Sequence, residues 1–166
     1  MEKVLGCLAF VSAFVLVTGQ GGSCPAGYAY YSESCYKMFP VAATWPESVV
    51  FCKTFGGRLA MITDQQEQNF VESYITGLHN SHLTMDIWLG GSDLLVNQEW
   101  MWINTMDTIQ YSNWKPGEPN NVGSGSSVTE DCLALMTSAN YEWNDAPCTD
   151  RMYFLCEIEL DSNPIG

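Results

Sequence analysis

The chain has 166 residues, 46% of them hydrophobic, and 19 Asp and Glu against six Lys and Arg leave a formal net charge of −13. That length suits one ordinary domain with a real core and is short for two. The charge repels phosphate backbones and anionic lipid, which argues against nucleic-acid partners and favours neutral, cationic or cation-bridged ligands.

Residues 1–19 have the pattern of a secretory signal: Lys3 near the start, an apolar run from Val4 to Val17, then the small residues Thr18 and Gly19, with cleavage expected near Gly19–Gln20. The run is shorter than the roughly 20 apolar residues of a spanning helix. The reading is therefore a secreted, extracellular chain without membrane insertion, organised as a short segment 20–23, one domain over 24–159 and a tail 160–166. Of the seven cysteines Cys7 falls in the signal, leaving Cys24, Cys35, Cys52, Cys132, Cys148 and Cys156. An even set in an oxidising compartment reads as three disulfides, with the pairing left open. Zinc is disfavoured, because no Cys-x-x-Cys pair occurs.

Cys24 to Phe39 alternates aromatic and polar residues about Ser32-Glu33-Ser34, which predicts a hairpin. Thr44 with Glu47 three residues on is a capping-box pattern, Pro46 suits the first turn, and Gly56-Gly57 closes a first helix. Thr63 with Gln66 repeats the signature, and Phe70, Val71, Tyr74 and Ile75 form the core stripe of a second helix ending at Gly77. His79 and His82 follow, read as exposed loop residues. Short apolar runs at 87–89, 100–103, 132–136 and 153–158 predict strands. Between the second and third of these lies a long polar stretch rich in Asn, Gly, Pro and Ser; so much irregular chain in a small domain usually serves a function. Gly123 to Ser127 is expected to be a mobile tip.

That stretch and its surroundings hold Glu118-Pro119-Asn120, Glu130-Asp131 and Trp143-Asn144-Asp145. Carboxylate and amide oxygens are hard donors, and Ca²⁺ takes about 6–8 of them in flexible geometry. With these motifs, Trp88-Leu89-Gly90-Gly91, Tyr111-Ser112-Asn113-Trp114, Glu130-Asp131-Cys132 and Tyr153-Phe154-Leu155-Cys156-Glu157 occur in an order that resembles the long form of the C-type lectin domain. The resemblance runs from Cys24 to Glu157. It implies an α+β fold with two helices flanking antiparallel sheets, a long calcium-binding loop region, and bridges 24–35, 52–156 and 132–148. It further implies Ca²⁺ held by Glu118, Asn120, Glu130, Asn144 and Asp145, the same residues contacting sugar, with the Pro119 peptide bond cis. The Glu-Pro-Asn order goes in this family with mannose-type ligands (mannose, N-acetylglucosamine, glucose, fucose). An auxiliary calcium site, weaker in this chain, would draw on Asp93, Asn97, Asn121 and Asp131.

Trp88, Trp100, Trp102 and Trp114 are assigned to core and loop support rather than sugar stacking. Catalysis is not expected, since no His-Glu-x-x-His, no Gly-x-Ser-x-Gly and no reactive lone thiol occurs. The partners expected are glycans on cell or microbial surfaces, as in innate immune recognition. Weak single-site binding would call for a homo-oligomer or clustered display. The rival reading is a lectin-fold domain that binds protein, ice or mineral, or galactose despite Glu-Pro-Asn, because fold alone does not settle function.

Overall fold

The computed structural model describes residues 23–78, 83–122 and 129–160; the signal segment, both histidines, the 123–127 tip and most of the tail therefore lie outside the described residues. The elements run β1 (Ala29–Tyr31), β2 (Ser34–Ala43), α1 (Trp45–Thr54), β3 (Arg58–Leu59), α2 (Gln65–Gly77), β4 (Ile87–Ser92), β5 (Met101–Trp102), β6 (Asp107–Thr108), β7 (Cys132–Leu135), β8 (Trp143–Ala146) and β9 (Met152–Glu159). No helix among the described residues is long and apolar enough to cross a membrane.

The sheet order is β1-β2-β9-β4-β5-β6, with β3 on β9 and β7 linking β4 to β8. Neighbours are antiparallel except β4 and β9, which run parallel with Ile87 opposite Tyr153. The sheet is thus mixed, antiparallel in every pairing of named strands but this one, within the α+β architecture expected. Such a pair needs a crossover rather than a hairpin, and here the chain between them supplies the whole loop region.

Period-2 alternation divides the core between the two faces of the central strands. Ile87, Leu89, Leu133, Leu135 and Leu155 join Val71 and Ile75 of α2 in one buried cluster. Their sequence neighbours Trp88, Cys132, Ala134, Phe154 and Cys156 join Trp45 and Cys52 of α1 in the other. Each helix covers one face, which is why a strand such as β4 is buried along its whole length. Gly90 and Gly91 permit the close approach: a Cβ on the first would lie 2.9 Å from the Leu59 carbonyl oxygen, and on the second 2.7 Å from a Leu133 methyl.

Both caps of the capping box at α1 are made, Thr44 Oγ1 accepting from Glu47 N–H and the Glu47 carboxylate from Thr44 N–H. At α2 the expectation slips by one residue: Asp64, not Thr63, is the N-cap, its carboxylate accepting from Glu67 N–H at 2.8 Å. Thr63 instead donates its N–H and hydroxyl to Glu67 Oε2, while Tyr36 donates to Oε1. Three bridges close the fold, Cys24–Cys35, Cys52–Cys156 and Cys132–Cys148. The two ends of the described chain meet at one edge, where Ser34 pairs with Glu159 and Leu160 N–H donates to the Glu33 carbonyl at 2.7 Å.

Gln68, fully buried on α2, ties the helix to β8: its Oε1 accepts from Trp143 Nε1 at 2.9 Å and its amide donates to the Tyr141 carbonyl at 3.1 Å. Gln68→Leu keeps the volume but strands the buried Trp143 N–H and removes the donor to the half-buried Tyr141 carbonyl. The expected loss is about 1–3 kcal/mol, read from the urea midpoint; an unchanged midpoint would show that the two bonds add nothing.

Candidate functional site

Trp143 anchors the site from below. It is fully buried and packs edge-on against Trp102, Tyr111 and Trp114. Its backbone is clasped on the loop side, donating to the Asn113 carbonyl at 2.8 Å and accepting from Lys115 N–H at 2.9 Å. Of the tryptophans assigned to core and loop support, Trp88 and Trp102 are buried in the core, while the half-buried Trp100 and Trp114 pack edge-on against each other in the loop region. Asn144 and Asp145 follow directly on β8, opposite Ala134 and Leu133 of β7, and the Cys132–Cys148 bridge restrains both strands.

The second half of the site is the turn that begins at Lys115, whose carbonyl accepts from Glu118 N–H at 2.9 Å. The Glu118–Pro119 peptide bond is cis. Beyond it the chain folds onto Asp145, which is wholly buried: Oδ1 accepts from Asn120 N–H at 3.2 Å and Oδ2 from Asn121 N–H at 2.6 Å. Asn120 Oδ1 accepts from Val122 N–H at 2.6 Å. The Asn144 amide donates to the Asp145 carbonyl, so that oxygen is engaged by its neighbour.

A cavity of about 340 Å³ opens here, lined by Asp93, Gln98, Trp100, Pro119, Asn120, Asn121 and Asp145. Glu118, Glu130 and Asn144 stand beside it rather than in its wall. Burial, and after it the charge of Asp145, pushes the carboxyls of Glu118 and Glu130 above their ordinary range. Glu118 Oε2 is buried with no hydrogen-bond partner. Mutually repelling carboxylates around an unpartnered oxygen are what a bound cation would stabilise, and the donors are all oxygen, as Ca²⁺ prefers. The residues present therefore fit the group in kind. Among the described residues no three His, Cys, Asp or Glu side chains converge closely enough to hold an ion by themselves, so the amides of Asn120 and Asn144 are needed to complete the set.

The residues expected at an auxiliary calcium site also lie near one another. Asp93 N–H donates to the Asp131 carbonyl, and Asn121 Nδ2 approaches Asn97 Oδ1 at 3.5 Å. Their side-chain oxygens are partly committed elsewhere: Asp93 Oδ2 accepts from Gln98 N–H, Asp131 Oδ2 from the Thr129 hydroxyl, and Asn121 Oδ1 from Glu130 N–H. Asp93 Oδ1 is buried and unpartnered, and burial followed by Asp131 and Asp145 raises that carboxyl. Gln98 in the cavity wall escaped the sequence reading, and Trp100, assigned there to core and loop support, also stands in that wall. The only signal for Gln98 was an Asp five residues earlier able to cap its N–H, a weak pattern.

The family described as Lectin C-type domain matches residues 41–158. Among curated proteins the chain is 37% identical over 135 residues to a perlucin-like protein of Mytilus galloprovincialis, covering 81% of this chain and 82% of that one. Among solved structures it resembles the mouse scavenger receptor C-type lectin carbohydrate-recognition domain, with TM-score 0.74 and 27% identity over 84% of this chain and all of the other. It also resembles a calcium-independent type II antifreeze protein, with TM-score 0.68 and 26% identity over 82% and 95% of the two chains.

Proposed function

The chain belongs to the C-type lectin domain family, and from that premise we propose that it is a secreted, non-enzymatic, calcium-dependent carbohydrate-binding protein of mannose-type preference that recognises glycans on cell or microbial surfaces. The observation that carries the reading is the oxygen-only set around Asp145: Glu118, Asn120, Glu130 and Asn144, with one buried Glu118 oxygen still unpartnered.

Bound there, Ca²⁺ supplies a Lewis-acid contact to one lone pair of a sugar hydroxyl. The chain's own groups deal with what remains of that hydroxyl. An amide NH₂ of Asn120 or Asn144 donates to its second lone pair, and a carboxylate of Glu118 or Glu130 accepts its proton. Two adjacent hydroxyls can be held by two such acid–amide pairs. The order of acid and amide along Glu118-Pro119-Asn120 selects the diol geometry and favours mannose, N-acetylglucosamine, glucose or fucose over galactose. An open site holding one sugar makes few contacts, so useful binding requires clustered copies, where avidity gains reach about 10²–10⁴.

The test is retention of the mature protein on immobilised mannan and on immobilised galactose, each in calcium and in EDTA. Calcium-dependent retention on mannan is expected. Retention on galactose alone would keep the metal and reject the preference. Retention on neither would favour the protein-, ice- or mineral-binding reading, which the antifreeze structure of the same fold keeps open.

A further inference from the structure

We propose that Asn121 is a positioning residue that sets the attitude of Glu130 and Asp145 toward the cation, through hydrogen bonds rather than as a ligand. The inference rests on the proposal that Glu130 and Asp145 are ligands. Asn121 has φ of 54°, in the left-handed region where Asn is among the residues best tolerated. From that turn one residue reaches in three directions. Its backbone N–H meets Asp145 Oδ2 at 2.6 Å, its Oδ1 accepts from Glu130 N–H at 2.9 Å, and its Nδ2 approaches Asn97 Oδ1 at 3.5 Å. Segments 24 residues downstream, nine downstream and 24 upstream are thereby joined at one peptide unit.

The consequence for Glu130 is specific. Its peptide leads into β7 through Asp131, whose carbonyl is held by Asp93 N–H. The bond from Glu130 N–H to Asn121 fixes the other side of the residue. Asp145 depends on the same unit, since one of its two oxygens is turned by Asn121 N–H. Groups that orient ligands in this way are worth about 10–100-fold in metal affinity when removed.

Two variants separate the side chain from the backbone. Asn121→Gly keeps the left-handed turn and the N–H to Asp145 but removes the acceptor for Glu130; Asn121→Asp restores that acceptor. Calcium is titrated calorimetrically into the mature protein and both variants, and exchange of the Glu130 amide is followed in EDTA. Asn121→Gly is expected to need about 10–100 times more calcium for half-saturation and to lose protection of the Glu130 amide. Asn121→Asp should recover the amide protection, the readout that a ligand role would not move; its added carboxylate attracts calcium directly, so its affinity does not count as rescue. Unchanged calcium affinity in Asn121→Gly, or no recovery of amide protection in Asn121→Asp, overturns the assignment. If the unaltered protein takes up no calcium while the amide still loses protection in Asn121→Gly, the hydrogen bond stands but the ligand reading, and the metal-positioning role with it, fails.

Discussion

Replacement of Cys52 and Cys156 together by alanine should remove about 4.7 kcal/mol of stability, against about 2.8 kcal/mol for the same change at Cys24 and Cys35. The difference follows from loop length: the first bridge spans a sequence separation of 104 and the second 11. A cross-link that closes a long loop removes more freedom from the unfolded chain. The position also matters, because both sulfurs of the long bridge are fully buried in the cluster beneath α1, between that helix and β9. A domain of this size is stable by only about 5–15 kcal/mol, so the double variant should lie near the edge of unfolding at 37 °C. Denaturant titration of both pairs, with alanine rather than serine to avoid burying a new hydroxyl, gives the comparison. Equal losses would mean that native-state strain or residual unfolded structure outweighs loop length.

Asp145→Asn should weaken calcium binding on the order of 100-fold or more and abolish calcium-dependent retention on mannan. The substitution is nearly isosteric, yet it acts twice. It removes one of the three carboxylates in the proposed set, and it puts an NH₂ where either Asn120 N–H or Asn121 N–H now finds an acceptor. Asp107→Asn, exposed on the edge strand β6, is the control and should leave both measurements unchanged. If Asp145→Asn folds, shown by an unaltered near-ultraviolet circular dichroism spectrum, and still binds calcium as before, the metal reading of this site is wrong.

Local chemistry was legible where one signal stood alone. Thr44 with Glu47 admits a single frame, and α1 begins there. At α2 two frames compete, Thr63 with Gln66 and Asp64 with Glu67, and both are sound capping patterns. What decides between them is tertiary: Glu67 is held by Thr63 and also receives the hydroxyl of Tyr36 from another strand. The two-residue strands β3 and β6 carry no periodicity to read, since their pairing is imposed by β9 and β5. β8 was obscured by its composition, because Asn144 and Asp145 read as polar site residues and only pairing with β7 reveals the strand. The motifs suffice to name the oxygen donors proposed for the site. They do not reveal how Asn120 and Asn121 grip Asp145, because that contact crosses about two dozen residues and depends on a left-handed turn no local pattern specifies.

The pairing of Ser34 with Glu159, and of Leu160 with Glu33, has a practical meaning for how the protein can be held. Both ends of the domain leave from the β1–β2–β9 edge, while Asn144 and Asp145 sit on β8, three ladders further along through β4 and β7. A tether, a tag or a neighbouring copy joined at either end therefore grips the molecule by a handle remote from the carboxylates. The strand order itself thus sets three ladders between the point of attachment and β8.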